Sequence, residues 1–379
     1  MRFNTEFSGI LVESVRIQSW QKYTMGLLDF FSTNKLPPGF TGSSMVICDL
    51  STFKRASAFL DVLHTRFQNL SVAFTDQMPD KCTYPSLLLS STPEDAEAQL
   101  TKTRAARIII LDLSASFAPI IPTSACPCYW INAREAAISQ TGCKVITTAL
   151  YLDTLPNAKV TGDPLADIER IPSVHIDTAM CKRFKEQREG KRWLAYFSAT
   201  GESEESIAYG LFNRAIRHKM GMMLLAPHDI ARCEPVYRES IKYRLQTIRH
   251  NRFSTSFIPL QTRVYYIEEP EPLTAMYACA DFVIAGGTLH EDAQHAPDII
   301  TPILYGKPVL VGAAQRQNSL LAAAIASDVV RHADNEEQLF SCLRDLIDDP
   351  QSGATLAHKA SEWLTQQPGS KARVMALID

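Results

Sequence analysis

Two glycine-containing turns in the second half of the chain have the composition of phosphate-binding loops. The first, Gly286-Gly287-Thr288, follows the apolar run 282–285, and the second, Ser198 to Gly201, follows the apolar run 193–197. Glycine lets the backbone approach a ligand closely, and a helix that starts after such a turn presents free N–H groups and a positive dipole end. Both turns are therefore candidate sites for an anionic ligand, although parallel sheets also turn in this way for packing alone.

Length and composition describe a globular protein of more than one domain. The chain has 379 residues, 46% of them hydrophobic and 21% charged, which predicts two domains rather than one core. The net charge of −3 argues against a dedicated nucleic-acid binder, so no nucleic-acid partner is expected. The nine cysteines are scattered without a C-x-x-C pair, and we interpret them as reduced thiols of a cytosolic protein.

The apolar runs predict alternating strands and helices. In the first half they indicate strands at 45–48, 72–74, 86–89, 108–111, 128–131 and 145–147, with helices at 52–67 and 93–102. In the second half they indicate strands at 193–197, 222–226, 264–267, 282–285 and 309–311, with helices at 204–219, 335–348 and 353–366. This alternation is typical of doubly wound parallel sheets, and the proline- and glycine-containing stretch 152–171 predicts a linker between two such domains.

Residues 14–34 carry apolar side chains at helical spacing, followed by two prolines. This segment is either an amphipathic helix lying on a membrane surface or a helix packed on its own domain, because amphipathicity alone fits both. No uninterrupted apolar run has the length of a signal-peptide core or of a membrane-spanning helix.

An ordered set of short motifs resembles the bacterial Kdo (3-deoxy-D-manno-octulosonic acid) transferases, which are GT-B glycosyltransferases. The order A-D-x-x-x-x-G-G-T followed by G-K-P-V-L-V-G, at 280–288 and 306–312, resembles their donor-binding half. Residues 197–205 resemble the motif A-S-T-H-x-G-E-E, and 226–232 resemble P-R-H-P-E-R. Residues 160–167 and 131–134 resemble V-T-G-N-x-K-x-D and V-N-A-R. The resemblance covers roughly residues 45–379, and the order of the motifs carries its specificity.

The resemblance implies a GT-B fold: two Rossmann-like doubly wound domains that face each other across a cleft, with a C-terminal helix that crosses back. It implies an inverting, metal-independent transferase whose CMP-Kdo-like nucleotide sugar is a co-substrate rather than a bound cofactor. The donor-binding residues that it implies are Ser198, Thr200, Gly201, Glu202, His228, Arg232, Gly286, Gly287, Thr288, Thr301 and Asn318. It also places Arg134 and Asp163 at the cleft or linker.

Three of these residues have structural alternatives. His228 could start a helix, Asn318 could cap one, and Arg134 could brace the face between the domains. No metal is implied, because no D-x-D pattern stands at a strand end, and the histidines of H-E-x-x-x-H at 290–295 are spaced wrongly for a zinc-protease motif.

The sequence departs from the family at positions that matter for chemistry. The glutamate of the family's first-strand motif A-S-V-G-E has no counterpart, and Asp49 is the nearest carboxylate, either a catalytic base or a helix cap. Thr301 stands where the family has a glutamate, and Leu165 where it has a lysine. Glu268 and its neighbours replace the cytidine-binding loop, and their charge would repel a phosphate.

These observations lead to two hypotheses. The first is a glycosyltransferase that moves a Kdo-like sugar acid from a CMP-linked donor to a lipid A-type or other envelope glycan acceptor. The second is a catalytically silent relative that binds a glycan, a nucleotide or a partner, or a transferase with a changed donor. The expected organisation is an N-terminal helical segment (1–40), an acceptor-side domain (41–168), a donor-side domain (169–362) and a returning terminal helix (363–379). We expect a cytoplasmic protein, with peripheral contact to the inner membrane left open.

Overall fold

The computed structural model describes residues 38–122, 126–166, 168–252, 257–268, 270–315 and 318–379. The N-terminal segment predicted over residues 1–40 lies outside the described residues except for its last three positions, and so does Asp167. Across the described ranges, no helix combines the length and the apolar character needed to cross a bilayer.

The first domain is built on a parallel sheet that holds seven strands in the described residues, in the order β3-β2-β1-β4-β5-β6-β7. These strands are β1 (Ser44–Cys48), β2 (Leu70–Phe74), β3 (Ser86–Leu88), β4 (Arg107–Leu111), β5 (Cys128–Ile131), β6 (Lys144–Thr147) and β7 (Lys159–Val160). The central strands are apolar at nearly every position because helices and loops cover both faces of the sheet.

The second domain repeats this design, with a sheet of seven described parallel strands in the order β10-β11-β9-β8-β12-β13-β14. These strands are β8 (Trp193–Thr200), β9 (Gly221–Pro227), β10 (Thr247–Arg249), β11 (Val264–Tyr266), β12 (Phe282–Ala285), β13 (Val309–Val311) and β14 (Arg331–His332). Two doubly wound parallel sheets confirm the predicted fold class. The short edge strands β7, β10 and β14 escaped prediction, because two or three residues are too few for a periodic pattern.

The helices connect successive strands. In the first domain they are α1 (Leu50–Arg55), α2 (Ser57–Phe67) and α3 (Pro93–Thr103). In the second domain they are α4 (Lys185–Glu189), α5 (Glu204–His218), α6 (Cys233–Lys242), α7 (Pro270–Cys279), α8 (Ile300–Leu304), α9 (Ser319–Ala326), α10 (Glu336–Asp348) and α11 (Pro350–Gln366), followed by α12 (Ser370–Met375). The single helix predicted over 52–67 is divided at Ala56 into α1 and α2.

The chain returns to the first domain after α11, as predicted. Val374 of α12 and Ile378 are buried in the apolar cluster between the first sheet and α2. The Asp379 N–H donates to the Tyr129 hydroxyl of β5 (3.0 Å). The last residues of the chain are thus part of the core of the first domain.

The chain crosses between the domains twice, near Asp163 and again near Gln367, and hydrogen bonds join these two crossings. The Asp163 N–H donates to Oε1 of Gln367 (2.8 Å), and the Ser370 hydroxyl donates to the Asp163 carbonyl (3.1 Å). Gly162 has a φ of +78°, and a Cβ there would lie 2.3 Å from the Gln366 carbonyl oxygen, so the close approach requires glycine. Asp163 is therefore a linker residue, and its role in the structure is to join the two crossings.

One interpretation of the cysteines was wrong. Cys181 and Cys279 form a disulfide between the segment before α4 and the end of α7, whereas we expected reduced thiols throughout. The two residues are 98 positions apart in sequence, and no spacing pattern pairs them. Cys48, Cys82, Cys126, Cys128, Cys143, Cys233 and Cys342 are free thiols.

The Asp163 carboxylate makes the stability of the linker depend on pH. Burial raises the pKa of Asp163, the nearby Asp112 charge raises it further, and the hydrogen bond from Asn132 partly opposes the shift. Because the folded pKa lies above the unfolded one, the stabilising contribution is present at low pH and is lost as the pH rises through the folded pKa. We expect Asp163→Asn to remove this loss, since the amide oxygen can still accept from Asn132 Nδ2 (2.7 Å) and the Leu165 N–H (2.8 Å).

Urea unfolding as a function of pH tests this expectation. Asp163→Asn should match or exceed the wild type at neutral pH, whereas Asp163→Ala should lower the free energy of unfolding by about 1–3 kcal/mol by leaving buried donors unpaired. The exposed Asp153→Asn is the matched control and should leave the pH curve unchanged. Equal pH curves for the wild type and Asp163→Asn would contradict the assignment.

Candidate functional site

The strand order of each sheet reverses at one point, and the predicted site residues lie at these two points. The reversal falls between β1 and β4 in the first sheet and between β8 and β12 in the second. In open α/β sheets, ligands bind outside the carboxyl ends of the strands at such a point. Asp49 and Asp112 follow β1 and β4, while Gly201 and Gly286 follow β8 and β12. The topology thus brings residues far apart in sequence to two sheet edges.

These two edges face each other across a cleft. Helix α1 follows β1 and helix α9 follows β13, and the Ser319 hydroxyl of α9 donates to the Arg55 carbonyl of α1 (3.1 Å). The Tyr151 hydroxyl of the first domain donates to the Ala326 carbonyl of the second (3.3 Å). A cavity of about 490 Å³ lies beside this contact, with Lys54 and Asp76 on one wall and Ile325 on the other. This volume is within the range of small-molecule sites.

The carboxylate of Glu204 occupies the place where the turns were expected to hold a phosphate. Its Oε2 accepts from the N–H groups of Gly201 (2.6 Å) and Gly287 (2.8 Å), and its Oε1 accepts from the Leu289 N–H (2.7 Å). Glu204 is fully buried. The N–H groups of Gly201 and Gly287 are therefore not free donors, because an internal anion already satisfies them.

The glycines of the turns are required by close packing. A Cβ on Gly286 would lie 2.1 Å from the Ala199 carbonyl oxygen, and the Gly286 N–H donates to the Ser198 carbonyl (2.8 Å). Gly287 has a φ of +81°. Thr288 is also fully buried; its hydroxyl donates to the Ala285 carbonyl (2.6 Å) and accepts from the Gly312 N–H (3.0 Å). The turn lies under other groups, so it shapes the floor of the site.

Two histidines cover this turn. The rings of His228 and His295 stack with centroids 4.0 Å apart, and Nε2 of His295 lies 2.6 Å from the Ala199 carbonyl oxygen. His228 is exposed, and its backbone N–H donates to the Thr200 carbonyl (2.8 Å). Burial lowers the pKa of His295, and the neighbouring His228 lowers it further. His295 is thus disposed to stay neutral beneath the solvent-facing His228.

Thr200 offers a polar group without a partner. The residue is fully buried at the end of β8, and within the described structure its hydroxyl has no hydrogen-bond partner. A buried hydroxyl usually finds a partner, so an unpaired one beside a cleft suggests a water or a ligand atom.

Two acidic groups near the donor edge are neutralised by arginines. Arg232 pairs with Glu205 (3.0 Å); burial raises the pKa of the Glu205 carboxyl, and Arg232 opposes the shift. Arg249 Nε donates to Glu268 (2.6 Å), and Arg249 also pairs with Glu234 (2.8 Å). Arg249 therefore offsets the charge of Glu268 in part, since it is shared with Glu234.

Three predicted residues serve helix termini or their neighbours. Asp49 caps α1, accepting from the Thr52 N–H (2.6 Å), and Asn318 caps α9, accepting from the Leu321 N–H (3.0 Å). Thr301 lies in α8 and donates its N–H to Asp298 (3.0 Å). Glu202 is exposed in the turn before α5. Asp49 and Asn318 are at the cleft, and both have the capping role that the sequence left open.

The first domain contributes a buried charge cluster that the sequence reasoning missed. Asp112 accepts from Arg55 (2.8 Å) and pairs with Arg134 (2.5 Å), and its side chain is almost completely buried. Nη1 of Arg55 is buried without a hydrogen-bond partner among the described residues. The aspartate directly after the apolar run 108–111 was the available signal, because that position marks the carboxyl end of a strand.

Neither edge provides an evident metal site. No group of three or more His, Cys, Asp or Glu side chains is arranged to hold a metal ion in the part of the chain that the structure describes.

Comparison with known proteins yields similarity at the level of fold. No model of a known protein family matches the chain, and no curated protein shows a significant match. Among solved structures, the C-terminal CMP-Kdo binding domain of WaaA from Acinetobacter baumannii is 19% identical, covering 49% of this chain and 95% of that one with a TM-score of 0.44.

Other solved structures match along both domains. WaaG, a glycosyltransferase involved in lipopolysaccharide biosynthesis, is 13% identical over 88% of this chain and 99% of its own, with a TM-score of 0.33. The UDP-GlcNAc 2-epimerase from Neisseria meningitidis is 10% identical over 88% of this chain and 98% of its own, with a TM-score of 0.35. The two doubly wound parallel domains are of the GT-B type, and a fold by itself leaves the reaction open.

The Glu204 contacts predict a specific loss of stability. In Glu204→Gln, the new NH₂ group must face either the two N–H groups of Gly201 and Gly287 or the single one of Leu289. We expect the free energy of unfolding to fall by about 2–4 kcal/mol, because each buried donor left unpaired costs about 1–3 kcal/mol. Chemical denaturation measures this. The exposed Glu202→Gln is the isosteric control, and an equal effect of both variants would disprove the role of Glu204.

The stacked histidines predict a shift in titration. In His228→Gln, the pKa of His295 should rise, since one of the two causes that lower it is removed. In the wild type, the contribution of His295 to stability should be full above the ordinary histidine pKa and lost as the pH falls toward the lowered one. NMR titration of the imidazole protons reports the pKa directly. His358→Gln, on an exposed histidine of α11, should leave it unchanged; an unmoved His295 in His228→Gln would contradict the assignment.

Proposed function

We propose that the protein is a glycosyltransferase that moves a Kdo-like sugar acid from a CMP-linked donor to a lipid A-type or other envelope glycan acceptor. The supporting observation is the convergence of the motif residues at the carboxyl edge of the second sheet. The resembling motifs are far apart in sequence, yet Gly201, Glu204 and Gly287 are joined by direct hydrogen bonds, and His228 lies over them through its contact with His295. These hydrogen bonds join the motif residues directly, which goes beyond the proximity that the ends of neighbouring parallel strands always have.

The donor would bind over the histidine pair, with its phosphate at the cationic side chains. The departing nucleotide phosphate carries negative charge, which donors fixed before the reaction stabilise best. Glu204 fixes the turn geometry and takes its N–H groups, so the side chains must supply this stabilisation. His228 is the exposed candidate, and Arg232 adds a cation whose charge is shared with Glu205. The unpaired hydroxyl of Thr200 offers one further contact.

The acceptor would lie against the first domain. Lys54 lines the cleft cavity, and its charge suits a phosphate or carboxylate of the acceptor or of the sugar acid. Arg55 lines it too, but shares its charge with Asp112. Asp49 follows β1 at the same edge and is the proposed base that takes the proton from the acceptor hydroxyl. Its capping bond to Thr52 uses one carboxylate oxygen and leaves the other available. Direct displacement from this side would invert the anomeric centre.

A second candidate is a catalytically silent relative that binds a nucleotide, a glycan or a partner. The capping role of Asp49 favours it, because a carboxylate that holds a helix end is a poor mobile base. Leu165 and Thr301 favour it as well. Leu165 stands in place of the family's lysine and cannot bind a phosphate, and Thr301 stands in place of the family's glutamate and carries no charge. The two candidates agree on ligand binding in the cleft and differ on turnover.

Calorimetric titration with CMP, UDP and GDP tests the shared part. We expect CMP to bind preferentially, and His228→Ala to weaken it about tenfold, which corresponds to the loss of one charge-assisted hydrogen bond. His358→Ala is the matched control on an exposed helix surface. If none of the three nucleotides binds, the transferase proposal falls.

Turnover separates the two candidates. The transferase should form product, detected by mass, from CMP-Kdo and a lipid A-type acceptor, in the presence of a chelator as well as without it. Asp49→Asn should reduce the rate at least a hundredfold with little change in nucleotide affinity, as expected for a general base. Nucleotide binding without product from any donor would favour the silent relative, and product formed from a UDP- or GDP-sugar alone would show a changed donor.

A further inference from the structure

A second cavity lies at the opposite end of the second sheet. It has a volume of about 450 Å³ and lies where β8, β9, β12 and β13 begin, whereas the cleft lies where these strands end. Five cationic side chains line it, and they come from three separate stretches of the chain: Arg188, Lys191, Arg192, Lys219 and Lys307. Asp281 is the single carboxylate in the lining. Four positive charges are therefore in excess here, in a chain whose net charge is −3.

Arg188 is paired with the Asp281 carboxylate (2.5 Å), whereas the acceptors described for Lys219, Lys307 and Arg192 are neutral. Lys219 donates to the Ile347 carbonyl (3.1 Å), and Lys307 donates to the Ala278 carbonyl (3.0 Å). Arg192 donates to Gln187 Oε1 (3.1 Å) and to the Leu260 carbonyl. Neutral acceptors hold the side chains in place while the positive charge stays available to a ligand.

The wall of the cavity is rigid. Trp193 is only 5% exposed, stacks on Phe282 with centroids 5.9 Å apart, and donates its ring N–H to the Lys219 carbonyl (2.8 Å). Gly221 packs against this ring so closely that a Cβ would lie 2.1 Å from it. The tryptophan thus fixes the backbone that carries Lys219. Preorganisation of this kind reduces the entropy lost when a ligand binds.

Lys307 is a half-buried cation of this lining. Burial lowers the pKa of Lys307, Asp281 opposes this shift, and the smaller effect of the Arg188 cation adds to it. An anion placed among these side chains would relieve the repulsion between them. Concentrated positive charge with several N–H donors is the chemistry that recognises phosphate oxygens.

We propose that this cavity binds a ligand carrying two or more phosphate groups, or one phosphate within an anionic lipid headgroup. The chemistry of recognition is the same in both cases, since lysines and arginines contact phosphate oxygens. The exposed Met220 (42%) and Leu260 (39%) flank Lys219 and Arg192, which is the pairing of apolar and cationic side chains that a phospholipid surface favours. The site is separate from the cleft, so the proposal holds whether or not the protein is a transferase.

The test uses the full chain and two probes. Calorimetry with inorganic triphosphate measures the soluble source, and co-flotation with phosphatidylcholine vesicles, with and without phosphatidylglycerol, measures the lipid source. Lys191→Gln combined with Lys219→Gln removes two exposed cations, together with the hydrogen bond from Lys219 to the Ile347 carbonyl. We expect this pair to weaken binding about 10–100-fold, as two charge-assisted contacts are lost. Lys102→Gln with Lys242→Gln is the control of equal charge change on exposed helix surfaces, and it should change binding less than about threefold.

Each result either supports or overturns the proposed phosphate site. Triphosphate binding that the cavity pair weakens supports a soluble phosphorylated ligand, and vesicle binding that the cavity pair weakens supports a lipid headgroup. Absence of binding to both probes overturns the proposal, and so does an equal loss in the cavity pair and the control pair. His228→Ala should leave triphosphate binding at the cavity intact; loss of all binding in that variant would place the ligand in the cleft instead and overturn the assignment. CMP affinity should not change in the cavity pair, so this result is distinct from failure of the proposed function.

Discussion

The buried carboxylate of Glu204 is the constraint on which the carboxyl edge of the second sheet depends. It joins the turn after β8 to the turn after β12 and to Leu289, in addition to the hydrogen bond between Gly286 and Ser198. A buried charge is tolerated only when its oxygens are fully hydrogen-bonded, and here three N–H groups do this. The carboxylate thus acts as a fixed counter-ion for the helix terminus and the diglycine turn. The histidine pair packs on this turn through His295, so its position depends on the same arrangement.

This constraint determines which groups of the candidate site could contact a ligand. A glycine turn of this type is commonly thought of as a cradle for a ligand phosphate, because its N–H groups point outward. In this protein the turn is a structural element, so under the proposed function a ligand would meet side chains such as His228 rather than the N–H groups of Gly201 and Gly287. Side chains can be exchanged in evolution without disturbing the turn. The fold can therefore persist while donor, acceptor or even activity changes, which fits both candidate functions.

Much of the fold could be predicted from the sequence, because the central strands are apolar on both faces and form continuous runs such as 108–111 and 282–285. The residues at the strand ends could be located for the same reason. Contacts between distant side chains could not. The sequence shows that Glu204 and Gly287 are 83 residues apart, and no local pattern indicates that they bond. The sequence predicted that Glu268 would repel a phosphate. Its partner Arg249 lies 19 residues away and outside any motif, so no local pattern indicated the pairing. The Cys181–Cys279 pair and the Asp112 cluster were missed for the same physical reason: tertiary contacts decide the partners of polar groups.

The return of the chain to the first domain has a consequence for recombination. The core of the first domain includes Val374 and Ile378, and the crossing at Asp163 is bonded to Gln367 and Ser370. A chimera that exchanges the donor half with a relative therefore needs two breakpoints, one near Gly162 and one near Gln367, rather than a single one in the linker. A hybrid joined at one breakpoint would bring a foreign terminal helix into a core that did not evolve with it. In terms of chain order, the second domain is therefore an insert within the first, and a domain exchange has to replace it as one insert.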